Sequence, residues 1–166
     1  MKLLISDKSL GGEIVGLDIS KKLTHDQVSF INESWNERLV LVFKKQNLDD
    51  RKLINFSKNF GELDPPGPNP YGITFLPEFP EINVISNVKN EQGTPIGNLG
   101  DGEAVWHADM TYLELPPKAG ILYALEVPEN QGNTHFANMA LAYGELPNKL
   151  KEKINDKILI HDSAHN

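Results

Sequence analysis

The chain has 166 residues, a formal net charge of −7 and a sequence pI near 5.2. This length suits one domain with a real core, and a hydrophobic content of 39% is globular rather than disordered. The acidic balance argues against a nucleic-acid or anionic-membrane surface. With no cysteine, disulfides, thiolate metal sites and cysteine nucleophiles are excluded, so any metal must be held by His, Asp, Glu, backbone or water.

The first residues, MKLLISDKSLGGE, contain only a three-residue apolar run. That is too short for a signal peptide, no later run approaches a membrane span, and the expected location is the cytoplasm. EIVGLDI (13–19) alternates as a strand. THDQVSFINESWNER (24–38) reads as a helix with Thr24 as its N-cap and Val28, Ile31 and Trp35 on one face. LVLVF (39–43) is a buried-type strand. DDRKLINFSKNFG (49–61) is a second helix, with acidic residues at its start, Leu53, Phe56 and Phe60 facing inward, and Gly61 ending it.

Prolines 65, 66, 68, 70, 77 and 80 then rule out regular structure over 62–81. A loop of that length reads either as an active-site lid or as a surface connector. INVISNV (82–88) is a strand, and KNEQGTPIGNLGDGE (89–103) is a polar, glycine-rich loop. Further strands are expected at 105–112, 119–127, 133–138 and 157–162, with one broken helix or two over 139–154, interrupted near Pro147. Short strands with helices mainly near the ends predict an α+β chain, a sandwich or jelly-roll with flanking helices, rather than a doubly wound sheet.

His107 and Asp109 lie two apart in the expected strand at 105–112. On a strand both would project from the same face. An imidazole and a carboxylate plus one more histidine make the facial triad that holds non-haem Fe(II) and leaves positions open for co-substrate and oxygen. The alternatives at this point are a surface histidine beside a carboxylate, and a zinc hydrolase, for which no general base or further ligand cluster is evident.

The surrounding sequence narrows the choice. Trp106-His107-Ala108-Asp109, Pro116-Pro117, the apolar run Ile121 to Val127, Pro128, Gly132-Asn133-Thr134 and Ala142-Tyr143 to Leu146-Pro147 resemble, in order and spacing, the TauD/TfdA family of Fe(II)- and 2-oxoglutarate-dependent dioxygenases. The N-terminal part agrees more loosely, through a helix, the LVLVF strand and a helix ending in Phe60-Gly61-Glu62-Leu63. The resemblance implies a double-stranded β-helix (jelly-roll) with flanking helices, apparently truncated at the C-terminus, forming one incomplete domain over 1–166. It implies His107 and Asp109 as iron ligands, Thr134 as a hydrogen-bonding partner of a 2-oxoglutarate carboxylate, and release of succinate and carbon dioxide as a small organic substrate is hydroxylated by dioxygen. Gln131-Gly132 stands where the family usually has Gly-Gly, and Asn133 where it usually has Asp.

The family's second histidine ligand and its co-substrate arginine come from further downstream, and the chain is expected to be inactive and poorly stable without them. Only two arginines are present, Arg38 and Arg51, and neither matches the clamp position. His161 and His165 lie too close to the first motif to be the distal ligand. His161 reads as a strand-end residue, His135 as facing away from Thr134, His25 as exposed at a helix start, and Trp106 as packed beside the metal strand. Candidate substrate-side residues are Asn69, Tyr71, Asn87, Asp101 and Glu103. The two acids suit a cationic or amine-bearing substrate, or else are solvated loop residues. Homo-oligomers are common in the family that the chain resembles, but no interface is legible. A non-catalytic binding domain that kept the β-fold is the alternative function.

Overall fold

A computed structural model describes residues 1–65, 72–99 and 105–161. These divide into two compact units, one of Met1–Asn47 with Leu122–Ile160, the other of Leu48–Ile121 with the described end of the chain at His161.

In the first unit, β1 (Lys2–Ile5) pairs antiparallel with β2 (Gly12–Val15), from Lys2 opposite Val15 to Ile5 opposite Gly12. β2 pairs in parallel with β3 (Leu41–Val42), giving the sheet order β1-β2-β3. Between β2 and β3 runs α1 (His25–Arg38). The expected Thr24 cap is present as a reciprocal box, in which the Gln27 backbone N–H donates to Thr24 Oγ1 and the Thr24 N–H donates to Gln27 Oε1. Ile31 on α1 is buried, with Val28 and Trp35 half-buried beside it.

α1 ends because Leu39 turns left-handed, with φ 64, and its N–H closes onto the Trp35 carbonyl. The expected strand 39–43 is therefore only two residues long. Arg38 holds this corner to the β1–β2 turn, its Nε donating to Gly11 O at 3.1 Å and Nη2 to Lys8 O at 2.8 Å. Gln46 clips the segment after β2 by donating to Leu17 O and accepting from the Ile19 N–H. Ile14, Leu17, Ile19, Leu23 and Ile31 form the buried apolar set of this unit. Full burial of a side chain such as Ile14 is worth about 1.5–3 kcal/mol.

Two helices close the sequence of this unit, α3 (Met139–Glu145) and α4 (Asn148–Ile154), separated at Pro147 as the pattern predicts. Asn138 caps α3 through its side-chain oxygen, which accepts from the Leu141 N–H.

The second unit begins with α2 (Asp50–Ser57), capped by Asp49, whose carboxylate accepts from the Lys52 N–H. α2 stops at Ser57, before the expected Gly61, and a tighter turn follows, with Asn59 and Phe60 N–H groups donating to Phe56 and Ser57. Ile54 and Phe56 are the buried positions of the helix, where Leu53, Phe56 and Phe60 were expected inside. Phe60 meets Phe56 edge-on at 5.2 Å.

β4 (Ile85–Ser86) pairs in parallel with β5 (Asn98–Leu99), a strand that the glycine-rich loop reading misses. Gly97 is needed at this pairing, because a Cβ there would stand 2.8 Å from the Val84 carbonyl. No regular element forms among the described residues of 62–81, as the prolines require.

Four expectations fail. The segments 105–112, 119–127 and 133–138 are irregular, and so is 157–161, the described part of the last one. A strand is stable only when another strand completes its hydrogen-bond ladder, and among the described residues none pairs with these segments. The chain is α+β, with a three-stranded mixed sheet, a two-stranded sheet and four helices among the described residues. The facing sheets of a double-stranded β-helix are not among them.

Candidate functional site

His107 and Asp109 do converge, but on a turn rather than a strand. Met110 takes φ 49, an uncommon left-handed conformation for a residue with a side chain, and the Leu113 N–H donates to Met110 O at 3.0 Å. This turn brings Asp109 Oδ1 to 3.1 Å from His107 Nε2, with the two side chains 75% and 52% exposed.

The other ring nitrogen explains the chemistry. His107 Nδ1 lies 2.7 Å from the Val105 carbonyl, which can only accept, so Nδ1 carries a proton and donates it. In the neutral ring Nε2 is then a bare lone pair aimed at a carboxylate. Two lone-pair atoms at that distance need a cation between them. A proton meets the need, and the His107 pKa is raised above its ordinary value of 6.5, chiefly by the Val105 carbonyl, with burial next and opposing it, and the charge and hydrogen bond of Asp109 adding to the rise. A metal ion also meets it, since two N/O ligands at about 2.1 Å and at right angles around an ion lie about 3.0 Å apart. Among the described residues no group of three or more His, Asp or Glu could hold a metal, so the pair is at most part of a site.

The remaining predicted residues are placed as follows. Thr134 is exposed on an irregular segment of the first unit, whereas His107 and Asp109 belong to the second. His135 is exposed as well, and with no strand at 133–138 the opposite-face reading does not apply. Asn87 is exposed directly after β4. Asn69, Tyr71, Asp101, Glu103 and His165 lie outside the described residues. Trp106 is 72% exposed rather than packed, because the strand it was to flank is absent. His25 is exposed, as expected. Both arginines are engaged elsewhere, Arg38 on backbone carbonyls and Arg51 with its guanidinium 5.4 Å from the Phe79 ring centre.

Sequence reasoning missed three participants. The Val105 carbonyl fixes the His107 tautomer, and backbone acceptors leave no trace in residue type. Thr111 Oγ1 lies 2.8 Å from His161 Nδ1 across 50 residues, a separation that no local pattern reveals. Asn98 is buried and its Nδ2 donates to Asn83 Oδ1 at 2.5 Å, steadying the β4–β5 pair from inside.

Comparison with known proteins places the chain in a family. The chain belongs to the taurine catabolism dioxygenase TauD, TfdA family, whose model matches residues 6–166. It is 29% identical over 157 residues to an alkylsulfatase of Acinetobacter baylyi, covering 94% of this chain and 45% of that protein. It is 33% identical over 156 residues to pentalenolactone F synthase of Streptomyces avermitilis, covering 91% of this chain and 49% of the relative. It is 25% identical to an alpha-ketoglutarate-dependent 2,4-dichlorophenoxyacetate dioxygenase of a Burkholderia species, covering 93% and 54%. A solved structure from Burkholderia xenovorans, named as a candidate alpha-ketoglutarate-dependent 2,4-D dioxygenase, superposes with a TM-score of 0.62 at 25% identity, over 93% of this chain and 50% of that one. The chain thus spans about half the length of the curated relatives it matches, from 45% to 54% in these three.

Proposed function

We propose that this chain is part of an Fe(II)- and 2-oxoglutarate-dependent dioxygenase that hydroxylates a small organic substrate, with release of succinate and carbon dioxide. The observation that carries the proposal is the His107–Asp109 pair, in which one locked imidazole and one carboxylate converge on a place that needs a cation. Family membership supports the reaction class.

In this reading His107 offers Nε2 and Asp109 offers a carboxylate oxygen to the iron. Val105 holds the proton on Nδ1, so the ring presents the correct nitrogen without a tautomer change. Thr134 donates its hydroxyl to a carboxylate of 2-oxoglutarate. Asn69, Tyr71, Asn87, Asp101 and Glu103 are the candidates for substrate recognition in this reading. Iron, co-substrate and dioxygen together supply the oxidation of a C–H bond; the protein's part is to bind and orient them. The complete domain is a jelly-roll of which this chain forms a part, working in the cytoplasm.

Among the described residues no third His, Asp or Glu groups with the pair, and Arg38 and Arg51 are engaged elsewhere. The 166-residue chain alone is therefore expected to turn over no substrate. The direct test is anaerobic addition of Fe(II) and 2-oxoglutarate, watching for the visible charge-transfer band of the chelate. The band should appear with the unaltered chain and vanish in His107→Ala and Asp109→Ala, and Thr134→Val should demand more 2-oxoglutarate. No band in a folded chain would mean that these residues are a scaffold that does not by itself assemble the iron and 2-oxoglutarate site.

A further inference from the structure

We propose that His161 is a positioning residue for the His107–Asp109 pair and acts through Thr111. The inference rests on the dioxygenase reading only for what the pair binds; the coupling itself stands on geometry. The turn that carries Asp109 needs an external hold. Met110 sits in the left-handed region at φ 49, which costs free energy for any residue with a Cβ, and such a conformation persists only where its surroundings enforce it. Within the turn, Thr111 Oγ1 reaches the Ala108 carbonyl at 3.4 Å, a long and weak bond. Its short bond is to His161 Nδ1, at 2.8 Å.

The hydroxyl has one proton to donate. Whether it goes to Nδ1 or Nδ1–H donates to the oxygen, His161 fixes the Thr111 side chain, and Thr111 lies two residues after Asp109. The residues before His161 are solvent-exposed, Ile158, Leu159 and Ile160 at 92%, 76% and 84%. The contact with Thr111 ties the end of the described chain to the turn. His161 does not join His107 and Asp109 in a three-residue group able to hold a metal, so its role is orientation and not ligation.

The test uses substitutions that separate the hydrogen bond from the fold. Thr111→Val removes the hydroxyl at constant shape, and Thr111→Ser retains it. His161→Phe removes the bonding atom, while His161→Asn retains a polar group near the Nδ1 position. The first readout is the ring nitrogen spectrum of His107 in the metal-free chain by long-range proton–nitrogen NMR, with the methyl signals of Leu48 and Ile54, buried in the same unit, as the check on folding. The second is Mn(II) affinity by electron paramagnetic resonance.

Thr111→Val and His161→Phe should each move the His107 Nε2 signal and weaken Mn(II) binding by up to about 10-fold, the lower end of the loss seen when a direct partner of a ligand is removed, since Thr111 holds the turn and not the ligand atom. The double variant should be no worse than the stronger single one, and Thr111→Ser and His161→Asn should recover most of the loss. An unmoved His107 signal in both disruptive variants, or losses that simply add, overturns the proposal. A moved signal in a chain that binds no Mn(II) at all supports the positioning role and defeats the metal reading of the pair instead.

Discussion

Residues 1–57 and residues 105–161 carry similar apolar patterning and reach different ends. The first stretch buries Ile14, Leu17, Ile19, Leu23, Ile31, Leu48, Ile54 and Phe56 and builds a three-stranded sheet. In the second no residue is buried, and Leu122, Leu125, Val127, Ile158 and Ile160 stand 68% to 92% exposed. The difference lies in partners. β2 finds β1 on one side and β3 on the other, so its alternation has a ladder to join and a helix to face. AGILYALEV has the composition of a buried strand, but no strand among the described residues pairs with it. Helices escape this dependence because they satisfy their backbone groups internally. α3 and α4 accordingly form in the same stretch where the strands do not.

The largest break in this comparison should come from the core. Ile14→Ala is expected to cost about 2–5 kcal/mol in denaturant unfolding, since the side chain is 2% exposed. Leu125→Ala, at 83% exposure, should change stability by less than about 0.5 kcal/mol. Equal losses at both positions would mean that the second region has a core of its own.

A smaller effect tests the helices, where the two regions should behave alike. Thr24→Ala and Asn138→Ala each remove a side-chain N-cap, and each should lower the stability of its own helix by about 1 kcal/mol. Hydrogen exchange of the first-turn amides of α1 and α3 measures this, and a loss confined to α1 would break the symmetry.

The smallest effect is the pH response of His107. Its folded pKa lies above 6.5, so its pairing with Asp109 contributes stability fully below that value and loses it as pH rises through the folded pKa. Metal affinity must run the other way, because Nε2 binds only when unprotonated. Proton NMR of His107 should show a midpoint above 6.5 that falls in Asp109→Asn, and Mn(II) binding should strengthen from pH 6 to pH 8. A midpoint unchanged by that substitution would separate the two residues.

What was legible in the sequence divides along the same line. Thr24 announces α1 almost to the residue, the acidic start announces α2, and Pro147 divides α3 from α4, because caps and breakers act within four residues. β1 is hidden in a short apolar run, and β5 in a glycine-rich loop, since pairing depends on a distant strand. The pair His107 and Asp109 is legible as chemistry, but its geometry is not. A strand spacing of two would have set them side by side; the left-handed Met110 turn sets Nε2 toward Oδ1 instead. His161 is visible as a histidine, and its partner Thr111 is not, because 50 residues separate them.

The most direct measurement is anaerobic equilibrium dialysis of Fe(II) alone against the folded chain. One iron should bind, and it should be lost in His107→Ala and in Asp109→Ala and retained in His135→Ala, whose imidazole belongs to the other unit. Iron retained by Asp109→Ala, or lost equally in His135→Ala, would contradict the metal reading of the pair.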